Sequence, residues 1–301
     1  MDIFNELSKF TNPENILKDE PMKNHTTFKI GGNADFLVSP SSTQEISDII
    51  SFLKENDINF AVIGNGSNLL VSDKGFRGVI IRLHKNFCGF SVEGDCIVAE
   101  GGILLSRLAN IALENSLTGF EFASGIPGSL AGATFMNAGA YGPEMKDVIL
   151  EVTFIDNNCE VKTIGVDECD FGYRTSYFSK NNAVVLSVKL KLSKGDKAEI
   201  KKTMDDLNKR RSDKQPLTFP SAGSVFKRPV GHFAGALVEQ AGLKNYSIGG
   251  AMVSEKHAGF IINTGNATCE DVLNLIEYIK KTVYDKFGVT LEPEVRILGE
   301  F

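Results

Sequence analysis

The chain has 301 residues, of which 42% are hydrophobic and 23% charged, with a formal net charge of −6 and a pI near 5.4. That is ordinary globular composition in a chain long enough for two domains, and its acidity excludes a broad nucleic-acid-binding face. No apolar run approaches the roughly 20 residues a membrane helix needs. The opening "MDIFNELSKFTNPENILKDE" carries no secretory signal, and five scattered cysteines without CxxC spacing read as reduced thiols, so a cytoplasmic protein without membrane insertion is expected.

In chain order, "TQEISDIISFLKEN" puts Ile46, Ile49, Ile50 and Leu53 on one helical face, with Thr43 as its N-cap. "FAVIG" reads as a short buried strand, "GVIIRL" as another, and "FSVEGDCIVAEGG" as a hairpin turning at Glu93-Gly94-Asp95. "LLSRLANIALENSL" is a second amphipathic helix. "VILEVTFIDNNCEVKTI" is a hairpin turning at Asn157-Asn158, and "NAVVLSVKLKLS" is strongly β-prone. The charge-rich "KAEIKKTMDDLNKRRSDKQP" reads as a helix stopped before Pro216, a hinge between lobes. Beyond it come a helix in "FAGALVEQAG", strands "SIGGAMVS" and "GFIINTG", the long helix "CEDVLNLIEYIKKTVYDKFG" and a closing strand "VRILG". This mixed order of strands and helices points to an α+β fold and not to a doubly wound sheet.

Two glycine-rich segments stand apart from this pattern. "GNGSNLL" follows a strand but leads into "VSDKGFRGVIIRL", which is strand-like, so it is not the strand-to-helix fingerprint of a dinucleotide fold. It is either a structural turn or an anion-binding nest in which Asn65, Ser67 and Asn68 supply donors. "GIPGSLAGATFMNAGAYG" holds five glycines and four alanines and is ill suited to a core-building helix. It reads as a long loop, or as backbone that something large must approach closely; Pro127 stiffens one turn, and Ala131, Gly132 and Ala133 leave room.

"GNGSNLL", "GIPGSLAGATFMNAGAYG", "FGYRTSYF", "SAGSVFKRP" and "LEPEVRILG", in this order, resemble the UDP-N-acetylenolpyruvoylglucosamine reductase family, in its short form. The resemblance implies a vanillyl-alcohol-oxidase-type (PCMH-type) FAD-binding domain of two subdomains, residues 1–84 and 85–204, and a C-terminal substrate-binding lobe, residues 205–301. It implies non-covalent FAD against Gly64, Asn65, Gly66, Ser67, Asn68 and Leu69, against Gly125, Ile126, Pro127, Gly128 and Ser129, and against Gly132, Asn137, Ala138 and Gly139. It also implies a UDP-sugar substrate and NADPH as electron donor; no metal, nucleic acid or obligate protein partner is expected. His25, His84, His232 and His257 show no metal-ligand spacing. Long-form relatives carry a tyrosine-bearing insertion between the "FGYRTSYF" and "SAGSVF" motifs; this chain has no tyrosine in that interval.

The family's reaction adds reducing equivalents to an enol ether beside a carboxylate. Negative charge grows on the carboxylate and a neighbouring carbon must then be protonated, so the site needs a cationic clamp and a placed proton donor. By motif position Arg174 is the clamp, Ser224 the proton donor and Glu294 the acid working with the arginine, its carboxyl requiring an environment that keeps it protonated. Outside their motifs these three read as a surface arginine, a turn residue and a strand-end carboxylate; Glu292 is Glu294's rival by chemistry alone. Lys214, Lys227 and Arg228 are basic positions suited to a diphosphate, and Tyr173 adjoins the clamp. The competing readings are another flavin oxidoreductase of the same superfamily, acting on an alcohol or sugar, and a nucleotide-sugar-binding regulator without turnover.

Overall fold

In the computed structural model, which describes residues 1–300, Ile46, Ile49, Ile50 and Leu53 lie on the helix Thr43–Glu55 and all four are buried. Its N-cap is Ser42, not Thr43: the Ser42 hydroxyl accepts from the Glu45 amide at 3.2 Å. The Glu45 carboxylate in turn takes the Ser41 amide (2.9 Å) and hydroxyl (2.6 Å), which starts the helix one residue earlier than the periodicity suggests. The chain folds as two units, each interrupted in sequence: residues 1–18, 36–65 and 78–211 make one, and residues 19–35, 66–77 and Ser212 onward make the other.

The first unit pairs the strand Phe60–Ile63 in parallel with Phe76–Arg82, Phe60 opposite Val79 and Ile63 opposite Arg82. Its main sheet is antiparallel, in the order Val161–Gly165, Ile149–Ile155, Val184–Lys191, Cys96–Glu100, Phe90–Glu93. The hairpins at Gly94-Asp95 and 156–160 form where their turn residues stand, with Glu93 opposite Cys96 and Ile155 opposite Val161. The long bare-backbone stretch is not all loop. Its centre is a helix, Leu130–Phe135, with Leu130, Ala131, Ala133 and Thr134 buried. The small residues are what allow this: the Ala131 amide donates to the Gly101 carbonyl at 2.9 Å, and the helix sits tight against the strand Val184–Lys191. The apolar core of this unit gathers side chains from the helices Thr43–Glu55 and Leu105–Glu114 and from both sheets.

The second unit has an antiparallel sheet in the order Ser221–Ser224, Phe260–Asn263, Ala251–Val253, Ser247–Ile248. "SIGGAMVS" is therefore two strands and not one, broken at Gly249-Gly250 into a hairpin with Ile248 opposite Ala251. The helices Ala234–Gln240 and Cys269–Phe287 cover this sheet with one apolar core. The long helix is capped by Thr268 with Asp271, and Asp73 adds a second acceptor, taking the Cys269 and Glu270 amides at 2.8 and 3.1 Å. Arg296–Leu298 pairs in parallel with Leu69–Val71. Among the described residues no helix is long and apolar enough to cross a membrane.

Candidate active site

The two glycine-bearing segments, far apart in sequence, meet in the first unit. Asn65 Nδ2 donates to the Pro127 carbonyl at 2.6 Å, and a Cβ on Gly64 would overlap Ser129 Oγ, so backbone passes against backbone where only glycine fits. Ser129 stands at the N-cap of Leu130–Phe135, yet its hydroxyl caps nothing. Ser129 Oγ and Thr134 Oγ1 are buried with no hydrogen-bond partner among the described residues. An unmatched buried hydroxyl costs about 1–3 kcal/mol. One facing a cradle of bare backbone is chemically suited to a polar group of a large flat ligand. Around it, Gly125, Ile126 and Gly128 are half-buried, Pro127 is exposed and Gly132 faces outward from the helix. Gly66, Ser67, Asn68 and Leu69 belong to the second unit, where the Gly66 carbonyl accepts from the Thr27 amide at 3.2 Å.

Arg174 sits in a tight turn of the first unit. Gly172 and Thr175 exchange both backbone hydrogen bonds (3.0 and 3.3 Å), leaving Tyr173 and Arg174 as the two central residues. Arg174 has φ +55°, a left-handed backbone that costs a non-glycine residue about 1–3 kcal/mol and persists only where the surroundings impose it. Its guanidinium lies 5.1 Å from the centroid of the exposed Tyr173 ring, with Nη2 3.5 Å from the Gly139 carbonyl. Asn137 is fully buried, and its side chain is engaged by protein on every side. Nδ2 donates to Glu144 Oε2 and to the Gly172 carbonyl, both at 3.0 Å, while Oδ1 accepts from the Lys146 amide at 3.0 Å. Any contact of Asn137 with a ligand falls to its backbone. Ala138 is held by its amide to Ala133 and by its carbonyl to Met145, at 2.8 and 2.9 Å.

Two residues of this site escaped the sequence reading. On the helix Lys197–Lys214 the positions Ile200, Met204, Asn208 and Arg211 follow spacings of four, four and three, a single face that begins apolar and ends polar. Only the first two are buried apolar residues, so the composition of this helix looks wholly solvated. Asn208 and Arg211 press on the glycine stretch: a Cβ on Gly125 would lie 2.6 Å from Asn208 Oδ1 and 3.1 Å from Arg211 Cδ. Desolvation draws the Arg211 pKa below the usual arginine range, with the Tyr141 phenol as the neighbouring acid, and no carboxylate pairs with this guanidinium among the described residues. A half-buried cation without an ion-pair partner beside bare backbone is suited to an anionic or electron-rich ligand group.

In the second unit Ser224 ends the strand Ser221–Ser224 and Glu294 lies just before the strand Arg296–Leu298; the two segments meet where the Glu294 amide donates to the Val225 carbonyl at 2.7 Å. A β-bulge shifts the register between Ser221 (opposite Ile262) and Ser224 (opposite Phe260), which re-aims the Ser224 side chain. Among the described residues Ser224 Oγ donates only a long bond, 3.4 Å, to the Phe226 carbonyl. Asn68 Nδ2 donates to the Glu294 carbonyl at 3.1 Å, and the Asn68 carbonyl accepts from the Arg296 amide at 3.0 Å, so Asn68 braces the segment that carries the acid. Lys227 pairs with the exposed Glu292 at 3.3 Å. Arg228 stacks over the exposed Phe233 ring, 4.0 Å from its centroid, and Lys214 is exposed at the end of its helix.

Behind Ser224, the Nδ1 of His257 accepts from the Gly259 amide at 3.1 Å. Burial holds its pKa below the ordinary imidazole value of 6.5. A histidine depressed in the folded state contributes stability that is complete above 6.5 and is lost as pH falls below it, because the unfolded chain takes up the proton first. The thermal midpoint is expected to drop between about pH 7 and pH 5, the range in which imidazoles titrate. A His257→Gln variant should show a smaller drop in the same melting experiment; an equal one would contradict this assignment.

Comparison with known proteins bears on both units. Residues 34–165 match a family described as "FAD binding domain", and residues 215–298 one described as "UDP-N-acetylenolpyruvoylglucosamine reductase, C-terminal domain". A UDP-N-acetylenolpyruvoylglucosamine reductase from Caldanaerobacter subterraneus subsp. tengcongensis is 54% identical over 298 residues, covering 99% of this chain and 98% of the relative. One from Clostridioides difficile is 49% identical over 299 residues, covering 99% of this chain and 98% of the relative. The crystal structure of the Thermus caldophilus reductase superposes with a TM-score of 0.80 at 32% identity, covering 94% of this chain and 98% of that one. An alkyldihydroxyacetonephosphate synthase, 13% identical with a TM-score of 0.50 over 64% of this chain and 40% of its own, shares the fold alone.

Proposed function

The chain belongs to the UDP-N-acetylenolpyruvoylglucosamine reductase family, and from that premise we propose how its own residues carry the reaction. The protein is an FAD-dependent oxidoreductase of α+β fold that uses NADPH to reduce the enolpyruvyl group of UDP-N-acetyl-3-O-(1-carboxyvinyl)-glucosamine to UDP-N-acetylmuramate, in peptidoglycan precursor synthesis. FAD, when bound, supplies the two-electron chemistry, drawing on NADPH and serving the enol ether double bond.

The residues of the first unit fit the cofactor. Gly64 and Asn65 with Gly125–Ser129 form the bare-backbone cradle, the Ser129 hydroxyl facing it is unmatched among the described residues, and Arg211 beside it is a cation without an ion pair among them. Gly66, Ser67, Asn68, Leu69, Gly132, Asn137, Ala138 and Gly139 complete the proposed set, the last three through backbone groups. Arg174 binds the substrate carboxylate, and its planar, permanent charge answers the charge that grows there. Ser224 Oγ gives its proton to the carbon next to that carboxylate. Glu294, protonated, hydrogen-bonds the same developing charge, while Lys214, Lys227 and Arg228 take the diphosphate and Tyr173 closes on the ligand. Residues 1–84 and 85–204 are the two FAD subdomains and residues 205–301 the substrate lobe. NADPH and UDP-sugars are cytoplasmic metabolites, and the enzyme is placed there, acting without an obligate protein partner.

What carries this reading is the meeting of the Gly64 and Gly125–Ser129 segments around an unmatched hydroxyl. Purified protein is expected to be yellow, and NADPH should bleach it without oxygen. In Gly64→Ala the new methyl would overlap Ser129 Oγ. Such overpacking costs about 1–3 kcal/mol, so FAD affinity in a titration should fall by about one to two decades and partly recover in the Gly64→Ala, Ser129→Ala double variant. Unaltered affinity in Gly64→Ala would place the cofactor elsewhere.

A further inference from the structure

The turn that presents Arg174 is bolted to the end of the helix Leu130–Phe135 by two hydrogen bonds from outside the turn. Asn137 Nδ2 donates to the Gly172 carbonyl at 3.0 Å, and Ser176 Oγ donates to the Phe135 carbonyl at 2.7 Å. Both side chains are fully buried. One bond grips the turn just before Tyr173-Arg174 and the other just after, so the left-handed Arg174 backbone is set from both flanks. Asn137 is itself left-handed, φ +45°, and is locked by Glu144 Oε2 and the Lys146 amide. The other end of the same six-residue helix starts at Ser129, in the cradle. The amides of Leu130 and Ala131 fasten that end to the Ile103 and Gly101 carbonyls, both at 2.9 Å.

We infer that Asn137 and Ser176 are positioning residues that act through Arg174, fixing the carboxylate clamp at a set distance from the cofactor cradle by way of this short helix. The physical need is plain: reacting atoms must stand about 3–3.5 Å apart, and a misplacement of about 1 Å costs about 10²-fold in rate. An arginine on a strained turn without these bolts would relax to an ordinary backbone conformation and carry its fork elsewhere. This inference rests on the clamp role of Arg174 proposed above.

The test is a double-mutant cycle on FAD-loaded, full-length enzyme, timing reoxidation of the reduced flavin by the enolpyruvyl substrate. Ser176→Ala and Asn137→Gly are each made alone and together with Arg174→Ala. Asn137→Gly cannot donate to Gly172, brings no charge up to Glu144 and tolerates the left-handed backbone, so it serves even if Ser176→Ala does not fold. Each single variant is expected to slow reoxidation about 10²-fold. On the Arg174→Ala background each should add less than about threefold, since residues acting through one group are not additive. Losses that multiply in full, or single variants at the parental rate beside a slow Arg174→Ala, overturn this inference alone. Arg174→Ala at the parental rate overturns the clamp role and this inference with it.

Discussion

Replacing Ser224 by alanine is expected to slow reoxidation of the reduced enzyme by its enolpyruvyl substrate by about 10²–10⁴-fold, the range for loss of a positioned general acid. Reduction of the flavin by NADPH needs no proton from this hydroxyl and should slow far less. The expectation rests on local geometry. A bulge just before Ser224 shifts the register of its strand, and among the described residues its hydroxyl makes only a 3.4 Å bond to the Phe226 carbonyl, so the proton is not committed elsewhere. Glu294, joined through a 2.7 Å backbone bond to Val225, the residue after Ser224, remains in the variant and accounts for residual turnover. Stopped-flow absorbance of the two half-reactions separates the cases; parental rates in both would remove Ser224 from the chemistry.

Arg174→Ala is expected to lower kcat by about 10²–10³-fold, as for removal of one donor aimed at developing charge. The carboxylate is more strongly charged in the transition state than in the bound substrate, so kcat should fall together with kcat/KM; a rise in KM alone would indicate uniform binding. Arg174→Lys should recover little, because a compact ammonium does not reproduce the planar fork or the contact with the Tyr173 ring. Steady-state kinetics with varied enolpyruvyl substrate decide this, and full activity in Arg174→Lys would argue for a point charge alone.

Much of this was legible in the chain. The stripe Ile46, Ile49, Ile50, Leu53 specifies its helix because a 3.6-residue repeat has one way to bury, and "GNGSNLL" leads into the strands Leu69–Val71 and Phe76–Arg82, as "VSDKGFRGVIIRL" suggests. What escaped depends on partners distant in sequence. The helix Leu130–Phe135 forms in a glycine-rich stretch because Gly101 lets Ala131 approach, a contact that no local propensity records. Asn137 reads as one more donor of a loop; its bond to Gly172, 35 residues on, makes it a brace. Arg211 looks solvated until the face running from Ile200 through Met204 and Asn208 is followed to its end. The signal was present as spacing but masked by charge.

An anaerobic single-turnover experiment tests the central claim most directly. The yellow enzyme is bleached with one equivalent of NADPH and then mixed with UDP-N-acetyl-3-O-(1-carboxyvinyl)-glucosamine, while visible flavin absorbance and product are followed together. Colour should return in step with the appearance of UDP-N-acetylmuramate. Enzyme that stays bleached until oxygen is admitted, with no muramate formed, would contradict it.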